Sequence, residues 1–286
     1  LPSVRTIAPE ERDQQIINDV IRQLAVIALG SREVLPANRT YFVATTGSDS
    51  NDGLSASTPF LTIQRAINVA AALDLSIFQV QINVAAGTYT GAINAVSYVG
   101  KGPIIINGDL ANPANVLISV TGSPCIQVSN VTGKYRFQGL KLRQNTPFVN
   151  NLIVSLYSIV EYGWIHFDTG HVHVQAQTNG MAIGLGPTSI TANFGIHWDA
   201  DLNSVITDRG QSITLVGTPA AGFYFVQAQQ GAMIVINSNT FIGSATGTRF
   251  NVLTNAVIDT LGAQTATGVY IPGNAAGSAA SGGLCI

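Results

Sequence analysis

Two periodicities divide the chain. Between residues 8 and 30, Ile17, Val20, Leu24 and Ile27 follow a 3-4-3 spacing that winds onto one stripe of an α-helix. Pro9 suits the first turn, Glu10, Glu11 and Asp13 favour the positive end of the helix dipole, and Gly30 supplies a stop. The seam is shorter than a coiled coil needs, so it predicts packing on its own domain or clustering with copies about a symmetry axis. Tyr41-Phe42-Val43-Ala44 reads as a short strand leading into a dense turn-forming run that ends at Gly53. Thr58-Pro59-Phe60-Leu61-Thr62-Ile63-Gln64-Arg65-Ala66-Ile67 opens a second, short helix to about Leu73. From Phe78 onward, β-branched and aromatic strands alternate with Gly, Asn and Thr turns, and no further helix is predicted.

The β region repeats itself. Val174-Gln175-Ala176-Gln177 returns 52 residues later as Val226-Gln227-Ala228-Gln229. Each copy is followed by a Gly and a Met-containing strand, Gly180-Met181-Ala182-Ile183 and Gly231-Ala232-Met233-Ile234. Turn-strand units recur at Gly163-Trp164-Ile165-His166-Phe167, at Gly210 to Leu215 and at Asn255-Ala256-Val257-Ile258. Gly210 to Gly231 spans 21 residues and Gly231 to Asn255 spans 24. Such a period is that of one coil of a parallel β-helix, which cannot bury its inward face alone but does so when stacked. A β-sandwich is the alternative; it explains the strands but neither the repeat nor the single charged helix at the front.

Composition sharpens this picture. The 286 residues include 13 basic and 15 acidic side chains, or 10% charged, against about a quarter in ordinary soluble domains. Hydrophobic residues make up 46%, which excludes the signature of disorder. Asn, Gln, Ser, Thr and 29 glycines take the place of charge. In stacked coils, neutral side chains ladder up the outer face where like charges would repel. Seven of the acids lie in the first 53 residues, and beyond Arg209 only Arg249 and Asp259 are charged. So bare a surface is expected to be buried in an oligomer. A net charge of -2 leaves no basic footprint for nucleic acid, and no apolar run reaches the roughly 18 residues of a bilayer span. Cys125 and Cys285 are 160 residues apart and read as two unpaired thiols, with an interchain bridge at Cys285 the alternative. No secretory signal is read, and the start at Leu1 is expected to reflect processing or truncation.

Family resemblance enters at Tyr41 to Ala70. Thr46-Gly47-Ser48-Asp49-Ser50-Asn51-Asp52-Gly53 followed by the Thr58-Pro59-Phe60 helix resembles the opening of right-handed parallel β-helices of the pectate-lyase-like class, in which that helix caps the solenoid. Val84-Ala85-Ala86-Gly87-Thr88-Tyr89 looks like their first full coil. Gly243 to Thr260 and Tyr270 to Gly277 are similar to the ends of many bacteriophage and prophage tail proteins. The resemblance implies an all-β, right-handed parallel β-helix with a short N-terminal helical segment, assembled as a homotrimer. The expected organisation is an attachment or trimerisation segment at 1–40, a cap at 41–77, coils at 78–262 and a Gly/Ala-rich tail at 263–286.

Two clusters carry candidate chemistry. Asp199 and Asp201 are two apart, so on a strand both carboxylates project from one face at about 7 Å. That separation suits the carboxylate pair of a glycosidase. Trp198 adjoins them as a sugar-stacking candidate, and Asp208 with Arg209 lies within one coil. The bland alternative is an exposed Asp-Ala-Asp turn. A β-eliminating lyase wants a basic residue beside calcium-binding acids, and near here only Arg209 qualifies. His171 and His173 alternate with Val172 and Val174, which predicts two imidazoles on one face. At a trimer axis six such imidazoles would hold a divalent transition metal, as in iron sites of phage tail tips that His-x-His resembles. An unliganded external pair is the simpler reading, and no cofactor is otherwise expected. Asp49, Asn51 and Asp52 alternate like a calcium loop but lack its length and closing Glu, so Asx-turns are expected. Gly184-Leu185-Gly186-Pro187 precedes no helix and is not a phosphate loop.

These readings converge on a structural and adhesive virion protein, a trimeric spike or fibre component of a phage or phage-like particle. Its N-terminal segment would contact other virion proteins and its coils the host surface. The alternative is a tailspike depolymerase cutting bacterial surface polysaccharide with Asp199, Asp201 and Asp208 as first candidates. Few Glu, Lys and Arg are present for acid-base work, which tilts the reading away from an enzyme.

Overall fold

The 20-odd-residue repeat becomes parallel pairing at fixed register. The computed structural model describes residues 32–264 and 269–286, together with Gln14, Ile17 and Asn18, which are helical. The rest of the helix expected at 8–30 lies outside the described residues, as does any role for it in attachment or trimerisation. The chain is an all-β parallel solenoid of the right-handed type with about eight turns and one short helix.

Each coil contributes to three faces. Face A runs from Arg39–Val43 and Val80–Val84 through Met181–Gly184, Val205–Asp208, Met233–Val235 and Val257–Asp259 to Leu284–Cys285. Face B includes Gly87–Tyr89, Val116–Val120, Thr188–Ile190, Ser212–Leu215 and Thr240–Ile242. Face C stacks Ile126–Ser129, Leu152–Ser155, Gly170–Gln177, Phe194–Ala200, Ala220–Ala228 and Thr246–Val252. The long strands Lys134–Gln144 and Ile159–Phe167 serve faces A and B in turn, bending at Gly139 (φ 69°) and Trp164 (φ 50°). All of these pairings are parallel.

Register explains the repeats. Val174 pairs with Trp198 and Trp198 with Val226, so the 52-residue repeat is two coils on face C. Met181, Val205 and Met233 likewise form one column on face A. Inward columns such as Val80, Ile104, Tyr135, Val160, Ala182, Ile206, Ile234 and Ile258 fill a continuous core. The corner from face C to face A is a pair of left-handed residues in successive coils: Leu156-Tyr157, Thr178-Asn179, Leu202-Asn203, Gln230-Gly231 and Thr254-Asn255. Even there the coils bond to one another, Asn179 N donating to Leu202 O at 3.0 Å and Asn203 N to Gln230 O at 3.1 Å.

At the front end a short helix packs on the first coils. Helix α1 (Ile63–Ala71) starts at Thr62, whose hydroxyl accepts from Arg65 N, and buries Ile63, Ala66, Ile67, Ala70 and Ala71 against the first coils. Asp49 accepts from Leu61 N, Thr62 N and Thr62 Oγ1, and Asp52 accepts from Leu54 N and Thr58 Oγ1. Only the Asp52–Leu54 contact is an Asx-turn; Asp49, expected to make one, instead ties the loop to the start of α1, 12–13 residues on. Gly53 (φ 67°) leaves the space that the buried Phe60 ring fills, since a Cβ there would lie 2.1 Å from it.

The core also holds a carboxyl. Tyr162, Gly184 and Asp208 are successive inward rungs of face A. Tyr162 Oη donates to Asp208 Oδ2 at 2.7 Å across Gly184, whose Cβ would sit 2.2 Å from that same oxygen. Burial lifts the Asp208 carboxyl from the usual 3.8 to about 6, with the Tyr162 and Asn239 hydrogen bonds opposing. A carboxyl with a raised folded-state pKa binds its proton more tightly folded than unfolded. Stability that it contributes below about pH 4 is therefore lost as pH rises through 6. Asp208→Asn keeps an acceptor for Tyr162 and removes the charge. Its stability in urea should match the wild type near pH 4 and exceed it by on the order of 2 kcal/mol at pH 7. A gap that does not change with pH would show that Asp208 is not protonated in the core.

Candidate functional site

The corner from face B to face C is where coils differ in length. Counting inward rungs, ten residues carry the chain from Leu142 to Leu152, seven from Phe167 to Val174, eight from Ile190 to Trp198 and eleven from Leu215 to Val226. Two short arcs thus lie between two long ones. The result is a groove of about 610 Å³ lined by Gln144, Asn145, Thr146, Pro147, Phe148, Thr169, Gly170, His171, Asn193, Phe194, Gly195, Gly222 and Phe223.

The long arcs supply aromatic walls. Phe148 is 75% exposed and holds φ 61°, a left-handed conformation that a bulky side chain rarely adopts. Phe223 is 49% exposed. His171 lies between them, edge-on to both rings, with centroids 5.3 Å from Phe148 and 5.4 Å from Phe223. The floor is glycine because neighbours crowd it: a Cβ on Gly170 would meet Asn151 Oδ1 at 2.0 Å, and one on Gly195 would meet His171 O at 2.4 Å. Partial burial holds the His171 imidazole below its ordinary pKa, so near neutral pH it is uncharged. Exposed aromatic faces with neutral amide and hydroxyl groups at the margin match a flat, uncharged, hydroxyl-bearing ligand.

The sequence-derived acids are placed elsewhere. Asp199 points outward on face C, between Gln175 and Gln227 in one column, and Asp201 lies between Gln177 and Gln229 in the next. Gln175 Nε2 donates to Asp199 Oδ2 at 3.0 Å, and Asn150 Nδ2 donates to Gln175 Oε1 at 2.7 Å. Asp199 is only 5% exposed, and its second oxygen is closed to solvent without a hydrogen-bond partner. Burial raises its pKa to about 6, helped by the Asp201 charge and opposed by the Gln175 and Gln227 amides. Burial likewise raises Asp201. Asp208 does not join them, because it points into the core. The other acids near by are neutralised: Glu161 by Lys134 at 2.9 Å and Arg136 at 2.7 Å, Asp168 by Lys141 at 3.1 Å and Arg143 at 2.7 Å.

Two expectations are corrected. Trp198 cannot stack on an external sugar: it is fully buried and donates from Nε1 to Tyr162 Oη at 3.0 Å. His171 and His173 do not share an exposed face. His173 is fully buried between Phe167 and Phe194, with Nε2 3.0 Å from Asp168 O and Nδ1 2.9 Å from His197 Nδ1. Burial lowers its pKa to about 3, so it stays neutral. A metal bound by both imidazoles at an axis is incompatible with that placement. Among the described residues no three of His, Cys, Asp and Glu are grouped to hold a metal ion. Cys125 is buried, Cys285 half-buried, and both are free thiols whose pKa burial raises to about 11.

No family model matches the sequence, and no curated protein matches it either. Among solved structures the chain is similar to a rhamnogalacturonan lyase at 12% identity and a TM-score of 0.25, over 78% of this chain and 68% of that one.

The two histidines now separate by experiment. His173→Ala opens a cavity and strips His197 of its partner, so urea denaturation should show a loss of about 2–4 kcal/mol. His171→Ala should cost less than about 1 kcal/mol. Equal losses would contradict the inside-outside assignment.

Proposed function

We propose that this protein is an adhesive β-solenoid that binds a surface polysaccharide in the Phe148–His171–Phe223 groove without cleaving it. In this reading it is a homotrimeric spike or fibre component of a phage or phage-like particle, located on an external appendage. Its first 40 residues engage other virion proteins and its coils face the host. The observation that carries the binding role is Phe148, held exposed in a left-handed backbone on the wall of a glycine-floored groove. The left-handed backbone recurs at the solenoid's corners; what sets Phe148 apart is that its exposed ring stands 5.3 Å from His171 over the glycine floor, opposite Phe223. The tail-protein resemblance of Gly243 to Thr260 supports the placement on a particle.

The groove is lined by rings, amides and hydroxyls and by no carboxylate, which supports adhesion over hydrolysis. Depolymerase activity is the second reading, favoured by one observation: Asp199, raised to about 6, has the pKa of a general acid and a neighbour, Asp201, on the same face. Its closed oxygens would have to open before substrate could reach them.

Immobilised bacterial surface polysaccharides distinguish the two. The wild type should be retained on at least one of them, Phe148→Ala and Phe223→Ala should each weaken retention about tenfold, and Asp199→Asn should leave it unchanged. New reducing ends or unsaturated sugars, lost in Asp199→Asn, would replace adhesion by depolymerisation. Unaltered binding by both Phe variants would remove the groove from the reading.

A further inference from the structure

Face A changes character halfway along the solenoid. Its early strands alternate as a half-exposed sheet should, with Val80, Ile82 and Val84 inward and Gln81 and Asn83 outward. An outer amide ladder continues through Asn107 and Gln138, Asn107 Nδ2 donating to Asn83 Oδ1 and Gln138 Nε2 to Asn107 Oδ1. Lys134, Arg136 and Glu161 follow as an ion-paired cluster. Beyond it the outward positions become apolar. One column reads Ile159, Met181, Val205, Met233, Val257 and Leu284, each pairing with the next. The adjacent column reads Ile183, Thr207 and Val235, with Glu161 and Asp259 at its two ends. Met233 is 43% and Leu284 54% exposed, and Leu156, Tyr157 and Leu202 extend the surface around the left-handed corner. Among the described residues, the outward strand positions Met181, Ile183, Val205, Thr207, Met233, Val235 and Val257 are uncharged, with Glu161, Arg209 and Asp259 at the margin.

We propose that this apolar half of face A is the interface through which copies of this chain associate, which rests on the homo-oligomer part of the reading above and is independent of the glycan groove. Three observations point to a second copy as the occupant. First, parallel strands that read as continuous apolar runs, here Met181-Ala182-Ile183 and Met233-Ile234-Val235-Ile236, are those covered on both faces. Second, six rungs at about 4.8 Å make a patch about 24 Å tall. With its corner, the central Thr207 and its Gln177 and Gln229 margin it approaches the roughly 800 Å² per partner of a stable interface, above the roughly 300–600 Å² typical of a monomer's largest patch. Third, charge is confined to the margin of the patch, where Glu161 is ion-paired and Arg209 and Asp259 stand at the edge, so two copies meet with little repulsion across the apolar column. Identical rung spacing also lets the two sheets pack face to face about 10 Å apart.

Light scattering at micromolar concentration tests this. The wild type should have a mass that is a multiple of the 29.9 kDa chain. Val205→Glu combined with Met233→Glu changes only outward positions and should reduce that mass to one chain with the β-sheet circular dichroism intact. Thr214→Glu, on an outward position of face B, should leave the oligomer in place. Should the glutamate pair unfold the chain, Val205→Gln with Met233→Gln takes its place. Footprinting of the wild type supplies a measurement that needs no variant: Met233 and Leu284 should be protected in the oligomer and labelled on dilution. A monomeric wild type, including one in which residues 1–31 cover the face, overturns the proposal. So does an oligomer that survives both pairs, or one that leaves Met233 and Leu284 open to label. Polysaccharide retention by the monomeric variant then reports on the groove alone, so the two readings fail separately.

Discussion

Everything in this molecule follows from stacking each residue on its counterparts in the coils above and below, about 4.8 Å away. At that spacing two like charges in one column repel with little water between them, whereas amides and hydroxyls bond up the stack. The outer columns obey this. Asp199 is bracketed by Gln175 and Gln227, Asp201 by Gln177 and Gln229, and Glu161 lies over Arg136 in the coil below. The charge-poor composition is the sequence-level trace of the same rule, and it leaves few groups free for acid-base chemistry.

Inside, the same stacking makes side-chain volume a property of columns and not of single residues. Tyr162 can be large because Gly184 above it has no side chain, and Asp208 occupies the space that the glycine vacates. Trp198 then reaches the phenol from face C, so one carboxyl, one phenol and one indole satisfy each other in the interior. His173 and His197 pair in the same manner one rung apart. Buried polar groups of this kind are costly unless bonded, and these fix which coil sits on which.

Much of the fold was legible because repetition is visible in one dimension. The Val-Gln-Ala-Gln pair marked two coils, and Gly47 through Phe60 marked the cap. Alternation also decided Trp198: a strand that turns Asp199 and Asp201 outward must turn their neighbour in, so the sugar-stacking role conflicted with the carboxylate pairing from the start. His173 was not legible, because it and Val174 both enter the core where the strand bends, and period two fails there. Phe148 and Phe223 carry no motif. Their signal is a difference in arc length between coils, which appears only once the register is known.

The corner from face C to face A takes six residues from one inward rung to the next in coil after coil: Val154 to Val160, Ala176 to Ala182, Ala200 to Ile206, Ala228 to Ile234 and Val252 to Ile258. The corner from face B to face C absorbs most of the variation, and the corner from face A to face B the rest, at three, four and five residues from Tyr162, Gly184 and Asp208 to Ile165, Thr188 and Ile213. Scaffold and groove are thereby decoupled: residues inserted or deleted in an arc raise or lower a wall of the groove and leave the stacked rungs in register. On the glycan-binding reading proposed above, the shape of the groove is set by arc length alone, while the stacked rungs that hold the fold stay the same.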